Sequence, residues 1–89
     1  MNVILHHEVD KYLSRLNAND RARIYAALNA LGKEPPEGDI VPMEGEVATF
    51  RLRVGSYRAI FRYKDNCILV THLDPRGQVY NKKNKGNKR

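Results

Sequence analysis

Residues 49–63 alternate apolar and polar side chains, and the alternation reverses across Gly55-Ser56. A two-residue loop with Gly first predicts a type II′ hairpin turn. That turn sets Val54 opposite Tyr57, Arg53 opposite Arg58, Leu52 opposite Ala59, Arg51 opposite Ile60 and Phe50 opposite Phe61. Directly opposed residues share a face. One face therefore carries Phe50, Leu52, Val54, Tyr57, Ala59, Phe61 and Tyr63, the composition of a core. The other carries Thr49, Arg51, Arg53, Arg58, Ile60 and Arg62.

The same patterning organises the rest of the chain. Asn2-Val3-Ile4-Leu5 is short and apolar and reads as a strand at a sheet edge. Val9, Tyr12, Leu13 and Leu16 recur at helical spacing, as do Ile24, Ala27, Leu28 and Leu31. Asn17 to Asp20 breaks the first helix and caps the second. Gly32 and Pro35-Pro36 stop the second helix. The short link makes the pair an antiparallel hairpin. Glu34 to Gly45, rich in Pro, Gly and acids, reads as a loop tacked to the core by Ile40 and Met43. After Tyr63, a turn at Asp65-Asn66 leads into the apolar run Cys67 to Leu73, and Asp74-Pro75 ends it. A two-residue turn there puts Ile68 and Val70 on the core face. Leu69, Thr71 and Leu73 then fall on the arginine face, and His72 points to the core side. The expected fold is α+β: an N-terminal strand, then a helix hairpin packed on one face of a small, mainly antiparallel sheet ending in a three-stranded meander. Residues 1–80 form one domain.

Composition narrows the function classes. Hydrophobic content of 42% and charged content of 29% fit a soluble globular protein. One cysteine, Cys67, cannot form an internal disulfide, and no apolar run approaches a membrane span or a signal peptide, so the cytoplasm is expected. His6-His7 has no accompanying ligand set, so no metal site is read there. The net charge of +6 is unevenly placed. Met1 to Gly45 holds five Lys/Arg against seven Asp/Glu, whereas Glu46 to Arg89 holds eleven against three. Residues 81–89 carry five positive charges and no apolar side chain, the composition of a disordered tail. A one-sided basic field of this kind matches a polyanion, most simply nucleic acid.

The arginine face sharpens that expectation. Four Arg and no Lys on one strand-pair face is more than solubility needs, because Arg is selected where a planar fork grips phosphate or carboxylate. Arg53 opposite Arg58 opposes like charges, a local cost of up to about 1 kcal/mol.

The string Phe50-Arg51-Leu52-Arg53-Val54-Gly55-Ser56-Tyr57-Arg58-Ala59-Ile60-Phe61, the late Arg76…Val79-Tyr80 and the preceding helix hairpin resemble the RelE/ParE superfamily of toxins, with the RelE-like branch favoured. The resemblance covers nearly the whole chain to Tyr80. It implies a toxin restrained by a cognate antitoxin. RelE-like members are ribosome-dependent endoribonucleases acting on mRNA and need no cofactor. ParE-like members inhibit DNA gyrase, and a decayed RNA-binding homologue is a further alternative. By position, the resemblance implies that Arg58, Arg76 and Tyr80 act in catalysis and that Arg51 and Arg53 hold substrate; Arg62, on the same strand-pair face, is a further substrate-binding candidate. His72 is a further candidate, the near-neutral titrating side chain close in sequence to that set. Family members commonly have Lys where Arg51 and Arg53 stand, and many have His in place of Pro75. Arginine stays charged at physiological pH, so Arg51 and Arg53 can bind phosphate but cannot serve as a general base.

Deleting residues 81–89 is expected to flatten the salt dependence of RNA binding, whose log–log slope is about −0.7 per phosphate contact on single strands. The melting temperature should stay unchanged. Binding titrations at several salt concentrations, beside a thermal melt, check both.

Overall fold

The computed structural model describes residues 1–75. Its elements are β1 (Asn2–Leu5), α1 (His7–Ser14), α2 (Ala18–Ala30), β2 (Asp39–Pro42), β3 (Thr49–Val54), β4 (Tyr57–Lys64) and β5 (Cys67–Pro75). The five strands form one sheet in the order β1-β5-β4-β3-β2. The β2-β3, β3-β4 and β4-β5 pairs are antiparallel and β1-β5 is parallel. The expected α+β arrangement is therefore present. Expectations that fall on Arg76, Tyr80 and the basic tail lie outside the described residues.

Each helix is bounded by its own side chains. His6 caps α1, its Nδ1 accepting from the Glu8 amide at 3.0 Å, and Asn17 caps α2, its Oδ1 accepting from the Asp20 amide at 2.9 Å. Arg21 closes the hairpin by donating to the carbonyls of Leu13 and Leu16 at the junction of the two helices. Val9, Leu13, Ile24, Leu28 and Leu31 from the helices meet Leu52, Val54, Ala59, Phe61, Ile68, Val70 and Leu73 from the sheet, all buried. Full burial of one such large aliphatic or aromatic side chain contributes about 1.5–3 kcal/mol. Both helices cover this one face.

The β3-β4 hairpin has the register expected from Gly55-Ser56, down to Arg53 opposite Arg58. Gly55 has φ +59, and Ser56 is not among the residues with positive φ, as a type II′ turn requires. Asp65 and Asn66 both have positive φ (53 and 61), the geometry of a type I′ turn, so Lys64 pairs with Cys67.

Two expectations are overturned. The stretch Glu34 to Gly45 is not all loop: Asp39–Pro42 forms β2, pairing with β3 from Asp39↔Arg53 to Pro42↔Phe50. Proline and acids disguised it, and an edge strand tolerates both because one side of it has no ladder. The meander thus has four antiparallel strands.

The second correction concerns β5. Its register shifts at Ile60/Phe61: Phe61 pairs with Val70, but Ile60 pairs with His72. Thr71 is the extra residue of a β-bulge, and past it every side chain changes face. Leu73, expected on the arginine face, is buried opposite Ala59, whereas His72, expected toward the core, is exposed on the arginine face. The bulge lies where β1 departs. The β1-β5 register ends at Leu5↔Val70, and the His6 amide bonds the Val70 carbonyl at 2.9 Å. Beyond Val70, β5 has β4 on one side only, which also lets Pro75 remain in the strand opposite Tyr57.

Gly38 sits at the entrance to β2 with φ +139, and a Cβ there would lie 2.7 Å from Leu52 Cδ1. Gly38→Ala is expected to destabilise the domain by about 1–3 kcal/mol through backbone strain and overpacking. A fall in melting temperature of at least about 4 °C in a thermal melt is the expected reading.

Candidate functional site

Three cross-strand rows of the sheet face turned away from the helices carry the arginines. Register places Asp39, Arg53, Arg58 and Asp74 side by side from β2 to β5. The next row is Val41, Arg51, Ile60 and His72. The third runs Thr49, Arg62, Leu69 and Ile4. Alternation forces this arrangement, because Leu52, Ala59, Phe61 and Val70 on the same strands face the helices.

The first row resolves the opposition of Arg53 and Arg58. Arg53 donates through Nε to Asp39 Oδ2 at 2.9 Å, and its Nη2 lies 2.8 Å from the same oxygen. Asp74 stands opposite Arg58 on the other flank. The two like charges are thus bracketed by two carboxylates. The sequence pattern places neither acid on this face: Asp39 falls in the Pro-rich, acidic stretch, and Asp74 reaches the face only through the bulge. Pairs as exposed as Arg53–Asp39 contribute about 0–1 kcal/mol, so a phosphate can displace Asp39 at little cost.

Beyond this row the face is concave. A cavity of about 200 Å³ opens over the sheet, lined by Met43 and Glu46 from the β2-β3 loop and by Thr49, Ile60, Arg62, Thr71 and His72. The His72 ring is anchored, its Nδ1 lying 2.9 Å from Thr71 Oγ1. A second hollow, of about 210 Å³, runs between α1 and the open edge of β5, and it includes Lys11, Tyr12, Arg15, His72 and Asp74. Burial and the Asp74 charge raise the Tyr12 phenol above its ordinary value. The Tyr57 phenol is raised chiefly by its 2.9 Å hydrogen bond to Asp20 Oδ2, and then by burial. Both phenols stay protonated at neutral pH. Tyr57 ties the β3-β4 hairpin to the start of α2.

Of the residues singled out from the sequence, Arg51, Arg53, Arg58 and Arg62 share one face, and His72 joins them. Arg76 and Tyr80 lie outside the described residues. Glu46, Asp39 and Asp74 are additions. A signal for the bulge does exist in the sequence. Val70 and Leu73, both apolar, are separated by the polar pair Thr71-His72, a spacing that strict alternation does not allow.

Two helices packed against one face of a five-stranded, mostly antiparallel sheet make an α+β fold shared with solved RelE structures. Matching solved structures include the archaeal RelE-RelB complex from Pyrococcus horikoshii OT3, at 32% identity and a TM-score of 0.71, covering 86% of this chain and 96% of that one. The RelB-RelE complex from Methanococcus jannaschii matches at 20% identity and a TM-score of 0.72, over 86% and 94% of the two chains. The isolated E. coli RelE toxin matches at 15% identity and a TM-score of 0.70, over 92% and 93%; these two likenesses concern the fold. No protein-family model and no curated protein matches the sequence. The chain belongs to the RelE family of toxins.

Asp39→Asn is expected to release Arg53 and to raise the salt concentration at which the protein elutes from a heparin column. The melting temperature should change little, because the pair is exposed. Unchanged or earlier elution would show that Arg53 does not contribute to the anion-binding surface.

Proposed function

We propose that this chain is the toxin of a toxin–antitoxin pair and acts as a ribosome-dependent mRNA endoribonuclease in the cytoplasm. The observation that carries the reading is the arginine face, with Arg51, Arg53, Arg58 and Arg62 on adjacent strands of a RelE-family domain. Substrate RNA supplies its own nucleophile. Its 2′-hydroxyl attacks the adjacent phosphorus and expels the 5′-oxygen, leaving a 2′,3′-cyclic phosphate. The protein has to align that attack and stabilise charge on the equatorial phosphate oxygens. Arg58 and Arg76 stabilise that charge, and Arg51, Arg53 and Arg62 grip the flanking phosphates as planar forks. Tyr80 stacks on a base, an interaction that contributes about 1–3 kcal/mol in single-strand recognition. The ribosome's decoding site presents the mRNA in the required geometry.

The matched archaeal structures are complexes of RelE with RelB, which supports a RelB-type antitoxin as the restraining partner here. An antitoxin blocks the chain by covering the arginine face or by displacing Tyr80.

Induction in cells is expected to halt protein synthesis within minutes and to leave cuts inside translated regions with 2′,3′-cyclic phosphate ends. Lys at both Arg51 and Arg53 should hold activity within about tenfold, since the phosphate-binding charge is kept, whereas Ala at both should cost far more. Sequencing of transcript ends, with a translation assay, reads both. DNA breaks with intact mRNA would overturn the nuclease reading in favour of gyrase inhibition.

A further inference from the structure

We infer that His72 is the general base of the reaction, its Nε2 taking the proton from the attacking 2′-hydroxyl. The inference rests on the nuclease reading above and deepens it. A face of arginines poses a chemical problem, because a guanidinium does not give up its proton at physiological pH. The charge needed to bind phosphate is present, but those groups cannot accept a proton. Imidazole is the side chain whose ordinary titration range spans neutrality, and the β-bulge at Thr71 turns one onto this face.

The geometry around His72 assigns the ring nitrogens. Thr71 Oγ1 lies 3.3 Å from the Ile60 carbonyl and 2.9 Å from His72 Nδ1. A hydroxyl has one hydrogen, and a carbonyl can only accept, so the Thr71 hydrogen goes to Ile60. With the Thr71 hydrogen directed to Ile60, Oγ1 is an acceptor toward His72 and pairs with the tautomer protonated on Nδ1. In the neutral ring that leaves the Nε2 lone pair for chemistry. This is the relation of a catalytic base to the group that orients it. His72 itself is exposed, lines the cavity with Arg62 and Ile60, and stands in the cross-strand row between those of Arg58 and Arg62, so RNA held by both arginines runs past the imidazole. Thr71 is a positioning residue.

The step balances. As the O2′–P bond forms, the 2′-proton passes to Nε2 and the ring becomes imidazolium. The P–O5′ bond breaks with its electron pair going to the 5′-oxygen, which takes a proton from water. Loss of the Nε2 proton to solvent restores the base.

The test is single-turnover cleavage of mRNA on programmed ribosomes. His72→Ala should cut at least about 100-fold more slowly, the scale of general base catalysis, with ribosome co-sedimentation and melting temperature unchanged. Added imidazole should restore part of the rate. His72→Gln, polar and able to sit at the same exposed position, should be equally slow and guards against a folding defect in the Ala variant. On mRNA with sulfur in place of the scissile 5′-oxygen, the leaving group needs no protonation, and the His72 variants should stay slow relative to wild type. Cleavage by both His72 variants within threefold of wild type would overturn the assignment. Recovery on the sulfur substrate would do so too, because His72 would then be the proton donor. Absence of cleavage by the wild-type chain would instead overturn the nuclease reading and this assignment with it.

Discussion

Phe61 is the side chain on which the sheet turns. It is fully buried on β4, stacked on Phe50 at 5.6 Å, with Tyr63 edge-on at 6.0 Å. Such aromatic contacts contribute about 0.5–1.5 kcal/mol each beyond the area they bury. The larger consequence is directional. With Phe61 held against the helices, strict alternation sends Arg58, Ile60 and Arg62 to the opposite face, and the paired β3 sends Arg51 and Arg53 with them. The arginine face is the reverse side of the core, so it cannot be reordered without exposing Phe61.

A rigid alternation would have excluded His72 from that face. The bulge at Thr71 breaks it by one residue. It occurs at the point where β5 loses β1 as a neighbour and the ladder on that side is no longer continuous. Leu73 returns to the core in the same step, so the shift conserves apolar burial while exchanging which polar groups meet the arginines. Asp74 arrives opposite Arg58 by the same route.

Electrostatically the face is less extreme than a count of its arginines implies. Asp39 holds Arg53, and Asp74 flanks Arg58. These carboxylates reduce repulsion between the arginines in the free protein. The arrangement suits a ligand that brings several negative charges at once, since breaking the exposed Arg53–Asp39 pair costs little and each new anion adds a charge-assisted fork.

The β3-β4 hairpin was legible from sequence because its determinants are local: a Gly-Ser turn, a period of two, and apolar side chains long enough to mark one face. The helix hairpin was legible for the same reason, through Asn17, Gly32 and two stripes at helical spacing. The arginine face followed from the hairpin alone. What lay beyond local pattern was decided by pairing. Asp39–Pro42 is a strand only because β3 offers it an edge, and its own residues read as loop. The face occupied by His72, Leu73 and Asp74 depends on where β1 stops pairing with β5, a contact between the beginning of the domain and its end. Thus sequence determined which residues carry the charge, and tertiary structure decided which acids and which histidine meet them, because a one-residue change of register in a strand moves every later side chain through the sheet.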